Sequence, residues 1–256
     1  MYSVRPIGAA CAIAIVSALS FTPIAAEEAG PKPQAYKVVA VEAPQPVKDP
    51  TFAAFRKEIA EVAKRKDRAA LAKHVAASFF WIGDDGKEFT QKERSGIDNL
   101  VRALYLDNAD TEGWEILAGF AQEASADPLP ERKGVICAPG EPKYDGAAVM
   151  ELGETTGTTS AFWFYPAKAG LDVRSGPDQD SKVVGKLGMH LVWVHPDDSP
   201  AAAVHTETVR IVLPSGQFGY VAADALVPLP GDLLCYVKEG NAWRLGGYIG
   251  GLAPAD

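Results

Sequence analysis

Residues 170–229 constrain the fold more than any other part of the chain. They open with Leu171-Asp172-Val173-Arg174-Ser175-Gly176-Pro177 and continue with Val183-Val184-Gly185-Lys186-Leu187-Gly188. They close with Gly216-Gln217-Phe218-Gly219-Tyr220-Val221. Short apolar runs separated by glycine and proline turns describe a small antiparallel barrel. Leu171 and Val173 project to one side of the first strand, Asp172 and Arg174 to the other. Gly176-Pro177 turns the chain away, and Gly219 permits a tight bend. The spacing predicts strands over 171–173, 183–187, 191–195, 208–213 and 217–221, with a polar, proline-containing loop over 197–203. Pro214-Ser215-Gly216 turns the last hairpin.

The flanks read differently. Residues 27–49 carry Pro31, Pro33, Pro44 and Pro46 among small and charged residues, the composition of an extended, mobile linker. A short strand over 36–41 is the one element expected there. Asp49 followed by Pro50 marks a helix start, and Phe52, Phe55, Ile59 and Val62 recur at helical spacing. Asp67 reads as a second cap. Phe79-Phe80-Trp81-Ile82 reads as a buried strand, and Asp84-Asp85-Gly86 as a tight turn. Ser95 with Asp98 resembles a capping box. Trp114, Leu117, Ala118 and Ala121 predict a further helix before Pro128. Residues 50–130 are therefore expected to form a small, mainly helical unit. Residues 131–169 then form a connector with strands over 147–152 and 161–165. A final hairpin, 234–238 and 242–249, turns at Glu239-Gly240-Asn241 within a closing segment, 230–256. The expected class is α+β: a helical N-terminal unit, an SH3-like antiparallel β-barrel and a C-terminal β-hairpin.

The first 26 residues read as a signal peptide, with Arg5 in the n-region, an apolar stretch over 7–21 and cleavage after Ala26. The apolar run is short for a transmembrane helix, which needs ~20 residues; an uncleaved anchor is the alternative. Export to the periplasm or outside the cell leaves two cysteines, Cys137 and Cys235. In an oxidising compartment these are expected to pair, the alternative being two free buried thiols. The bridge would close a loop of roughly 100 residues and tie the barrel's exit to its entry, worth ~4–5 kcal/mol in the chain-entropy model. The formal charge of −8 argues against nucleic acid, and no second stretch is apolar enough to span a bilayer.

Residues 170–229 resemble the bacterial SH3 (SH3b) family. The resemblance rests on Leu171-x-Val173-Arg174-Ser175-Gly176-Pro177, on Val183-Val184-Gly185-Lys186-Leu187, and on Gly216-x-x-Gly219-Tyr220-Val221 through Leu226. The sequence departs from the family pattern where Thr206-Glu207 stand in place of a tryptophan, and where Gly219-Tyr220 stands for Gly-Trp. Both changes thin the aromatics of the family's groove. The longer chain is similar to secreted SH3-domain proteins that end in a Cys-Tyr-Val-Lys-Glu-Gly hairpin, here Cys235-Tyr236-Val237-Lys238-Glu239-Gly240. The helical unit also resembles the cone-shaped fold of the nuclear transport factor family.

Catalytic patterns are lacking in the sequence. The histidines, His74, His190, His195 and His205, form no His-x-x-x-His pair, and there is no Gly-x-Ser-x-Gly elbow or phosphate-binding loop. No metal or cofactor is expected. The aromatics are the functional lead, because such rings stack on sugars or hold peptides. The candidate contact residues are Arg174, Trp193, Phe218, Tyr220, Trp163 and Tyr165. The expected function is non-catalytic binding to peptidoglycan or an envelope protein. Two alternatives stand beside it. One is an enzyme or regulatory subunit with a pocket around Trp81 and Trp114; the other is a purely structural assembly protein.

Overall fold

The structure is a computed structural model, which describes residues 32–196, 207–229 and 231–251. The expected signal peptide, the first linker residues, the 197–203 loop and the end of the chain lie outside the described residues. The chain is α+β. A short strand, β1 (Val41–Glu42), precedes helix α1 (Pro50–Arg65). Asp49 caps α1: one carboxylate oxygen accepts from the Thr51 hydroxyl at 2.6 Å and the Thr51 N–H at 2.8 Å. That hydroxyl contact comes first among the interactions that lower the Asp49 carboxyl to about 2. Asp67 caps the short α2 (Arg68–Ala72) by accepting from the Ala70 N–H. The aromatic run is a strand as expected, β2 (Val75–Ile82). Helices α3 (Gly96–Ala103) and α4 (Glu112–Gln122) follow. Ser95 caps α3, accepting from the Asp98 N–H and donating to the Asp98 carboxylate at 2.6 Å.

Strands β3 (Asp127–Pro128), β4 (Val135–Ala138) and β5 (Lys143–Tyr144) come next. Residues 147–152, expected as a strand, instead lie within helix α5 (Gly146–Thr156). The signals that decide it are terminal. The Asp145 side chain accepts from the Ala147 and Ala148 N–H groups, and Gly157, at φ 68°, closes the last turn. The inward residues Val149, Leu152 and Thr156 recur at helical spacing rather than alternating. A 3-10 turn (Ser160–Phe162) leads into β6 (Trp163–Pro166). The chain continues through β7 (Leu171–Arg174), β8 (Val183–Leu187), β9 (Val192–Val194), β10 (Thr208–Val212), β11 (Phe218–Ala222) and β12 (Leu226–Pro228). It ends with the hairpin β13 (Leu233–Glu239) and β14 (Ala242–Ile249), turned at Gly240-Asn241.

Strands β6 to β12 make a seven-stranded antiparallel sheet in the order β12-β6-β9-β10-β11-β7-β8. This order has two ends, so the expected barrel appears in the described residues as an open ladder. The sheet also recruits β6, which the sequence reading left in the connector. Each face has its own core. Trp163 and Tyr165 of β6, Trp193 of β9 and Val212 of β10 point to one side. Phe164, Val192 and Ile211 pack on the other, with Val173, Leu187 and Val221.

The first of these faces is covered by the proline-rich segment, which is extended but packed rather than a free linker. Tyr36, Val39 and Val41 are buried against Trp163, Trp193 and Leu152 of α5. The Tyr36 hydroxyl donates to the Val212 carbonyl at 3.0 Å, and main-chain bonds tie Tyr36 to Pro214 and Val41 to Met189.

The closing hairpin belongs to a second sheet. The order is β2-β14-β13-β4-β3, with β14 parallel to β2 and the other pairs antiparallel. Helices α1, α3 and α4 pack on one face through Phe52, Ile59, Leu100 and Leu117 against Trp81, Tyr236 and Leu245. The helical unit and the C-terminal hairpin thus share one core, and the seven-stranded sheet is inserted between them. Cys137 of β4 and Cys235 of β13 face each other at a Cα separation of 3.9 Å and are joined by a disulfide, S–S 2.05 Å. No helix among the described residues is long and apolar enough to cross a membrane.

Two stability tests follow from this arrangement. The disulfide encloses a sequence separation of 98 residues, so the double change Cys137→Ala/Cys235→Ala is expected to lower unfolding free energy by about 2–5 kcal/mol in urea titration. In α4, a Cβ on Gly119 meets nothing within 4 Å, whereas in α3 one on Gly96 would meet the Ala76 carbonyl oxygen at 2.0 Å. Gly119→Ala should therefore stabilise the protein by about 0.5–1 kcal/mol. Gly96→Ala should do the opposite, although both are glycine-to-alanine changes in helices.

Candidate functional site

A groove opens on the seven-stranded sheet between the end of β6, the β7–β8 loop and strands β9, β10 and β11. It encloses about 400 Å³ and is lined by Phe164, Pro177, Val194, His195, Arg210 and Tyr220, among others. The strand register sets it. Arg210 of β10 pairs with Tyr220 of β11, which pairs in turn with Arg174 of β7, so these three side chains stand in a row. The β7–β8 loop is held in place by Arg174, which donates to the Ser181 carbonyl at 2.8 Å. The Thr208 hydroxyl donates to the Pro177 carbonyl at 3.2 Å.

Beyond Tyr220 and Thr208 lies a second hollow of about 640 Å³. Its lining is charged: Asp172, Arg174, Glu207 and Asp224. The Lys186 ammonium pairs with Asp172 and holds that carboxyl below the usual carboxylate range. Gln179 donates to Glu207 at 3.1 Å. Tyr220 and Thr208 border both hollows. An apolar compartment and a charged one therefore meet at one half-buried phenol. This arrangement can bind an extended ligand whose apolar and polar parts alternate.

The six candidate residues divide. Tyr220 borders both hollows, and Arg174 lines the charged one. Phe218 shares the outward face of β11 with Tyr220, as its parity requires, and is 43% exposed. The Arg210 guanidinium lies 4.6 Å over the Phe218 ring, and His195 meets the same ring edge-on at 5.4 Å. The other three are buried and lie outside the groove lining. Trp163 and Trp193 are 1% and 0% exposed and belong to the core beneath the N-terminal segment. The Trp163 indole N–H donates to Thr158 at 2.9 Å, and its ring meets Tyr36 edge-on at 5.0 Å. Tyr165 is buried on the same face and touches a different cavity, described below. Consecutive aromatics on β6 need no ligand to account for them, because the sheet has a core on each side.

Sequence reasoning missed Arg210, Thr208 and Pro177 as groove residues. The signal for the first two was their shared parity on β10, which sets Arg210 opposite Tyr220 and Thr208 opposite Ala222. Phe164 was one of an aromatic triplet with no means of choosing among its members.

The indoles of Trp81 and Trp114 are built into the helical core. They donate to the carbonyls of Gly250 at 2.9 Å and Leu106 at 2.8 Å. Asp84 and Asp85 sit in the expected turn. Burial, then the neighbouring Asp232 and Asp85, raise the Asp84 carboxyl, while Lys87 lowers that of Asp85. Among the described residues no group of three or more His, Cys, Asp or Glu is placed to hold a metal ion.

The contrast between core and groove aromatics is measurable. Trp163→Ala should cost about 3–5 kcal/mol of stability in urea titration. Tyr220→Ala, at a half-buried surface position, should cost less than about 2 kcal/mol and leave the circular dichroism spectrum unchanged. No protein-family model matches the chain, and no curated protein matches it.

Proposed function

We propose that this is an exported, non-catalytic binding protein of the cell envelope, whose seven-stranded sheet is a bacterial-SH3-like barrel module. Its groove contacts peptidoglycan or a protein partner. The observation that carries the reading is the position of Tyr220 between an apolar hollow and a charged one. The large aromatics on the sheet's covered face are sealed away by the N-terminal segment and α5. Aromatic surface backed by hydrogen-bonding groups suits both a sugar face and a peptide backbone. The enzyme alternative located its pocket around Trp81 and Trp114, where packed apolar side chains stand.

Co-sedimentation with purified cell wall tests the proposal. The mature chain is expected in the pellet, and Tyr220→Ala is expected to be retained about tenfold less, the loss of one well-packed aromatic contact. Equal retention of both proteins would remove the groove from the account. Absence of both from the pellet would exclude peptidoglycan and leave only a protein partner, to be sought by cross-linking in intact envelopes.

A further inference from the structure

A third cavity lies where the two sheets meet, at the β3 edge of the five-stranded sheet. It encloses about 600 Å³, within the ~300–1,000 Å³ typical of small-molecule sites. One wall comes from the segments around β3 and β4, the other from β6 and β12, and Phe120 of α4 also contributes. The chemistry of these walls is one-sided. Pro128, Pro130, Pro139, Pro142 and Pro228 contribute apolar rings and carbonyls but no N–H. Four further main-chain donors of the lining are occupied. Leu129 donates to Val135 and Leu229 to Trp163, Gly140 donates to Ser125, and Glu141 to the Asp127 carboxylate at 2.7 Å.

Among the described lining residues the Tyr165 hydroxyl is the sole side-chain donor. Burial and the Glu123 carboxylate push that phenol up, so it carries no charge. The acceptors are Asp127, Glu141 and Asp232, and the described lining includes no lysine, arginine or histidine. The Tyr248 hydroxyl engages one Asp232 oxygen, and Asp127 uses one oxygen on Glu141. The aromatic rings of Phe120 and Tyr165 complete the lining. An anion would meet three carboxylates here, and a carbonyl ligand would find one side-chain donor. A cation with N–H groups would find acceptors, negative charge and ring faces together.

We propose that this junction cavity binds a small organic ammonium ion with an apolar body. The ammonium sits toward Asp127 and Glu141, and the body lies against the proline rings and Leu129. The site is separate from the groove and does not depend on what the groove binds.

The probes are hexylammonium, hexan-1-ol and hexanoate, which share one chain and differ in head group. They are titrated calorimetrically into the mature chain at low ionic strength, and methyl NMR follows Leu129, Val227 and Leu233. Hexylammonium is expected to bind at least about fivefold more tightly than hexan-1-ol, with hexanoate weakest. Its shifts should cluster on those three residues, and its affinity should fall with added salt. Asp127→Asn/Glu141→Gln keeps the shape and should erase the preference for the ammonium while leaving hexan-1-ol unchanged. The proposal is overturned if the neutral or anionic probe binds as well as the cation, if none binds, or if the shifts fall at Tyr220 instead. It is equally overturned if the double variant keeps the preference.

Discussion

Cys137 and Cys235 face each other across neighbouring antiparallel strands, and their bond fixes the point where the chain leaves one sheet and the point where it returns. Everything between them, α5 and the whole seven-stranded sheet, is an excursion from a structure that is otherwise contiguous in space. Without the covalent link, closing so long a loop would draw on conformational entropy that β4 and β13 alone must offset. The pair is buried, on the face of the five-stranded sheet opposite the helices. The surrounding side chains include Phe80, over which the Arg132 guanidinium lies at 3.9 Å.

The seven-stranded sheet shows how much depends on whether a surface is covered. Its strands carry large side chains on both faces, and each face has found a partner. One side packs within the module itself. The other needs Tyr36, Val39 and Val41 from outside it, together with Leu152. The proline-rich segment is suited to that task. Proline fixes the backbone in an extended form, so little order is lost on docking, and the intervening residues supply the apolar contacts. What is left facing water is a row set by strand parity: Phe218 and Tyr220 on β11, Thr208 and Arg210 on β10, and Arg174 on β7.

Much of this was legible in the residues. Caps at Asp49, Asp67 and Ser95 mark helix starts because short polar side chains satisfy the first free N–H groups, and all three do so here. The strands of the module appeared within a residue or two of their observed bounds because glycine and proline punctuate them. The Cys137–Cys235 pairing was legible because these are the two cysteines beyond the first 26 residues. What was not legible was tertiary. The strand expected over 147–152 failed because Ala-Ala-Val-Met carries no periodicity, and the deciding Asp145 and Gly157 lie outside it. The buried state of Trp163 and Trp193 depends on a segment more than a hundred residues away that reads locally as a linker. The groove was half visible: parity put Phe218 and Tyr220 together, but only strand register brings Arg210 beside them.

Strand β2 has one neighbour in its sheet, β14. Val75 therefore waits for Leu245, about two thirds of the chain's length further on, before its backbone finds a strand to pair with. The helices of the first half rest on that same sheet, so a chain still attached to the ribosome holds them without a floor. The inserted module has all its strands before that hairpin is made and can form sooner. The sheet beneath the first helices is therefore complete only once the last hairpin is in place.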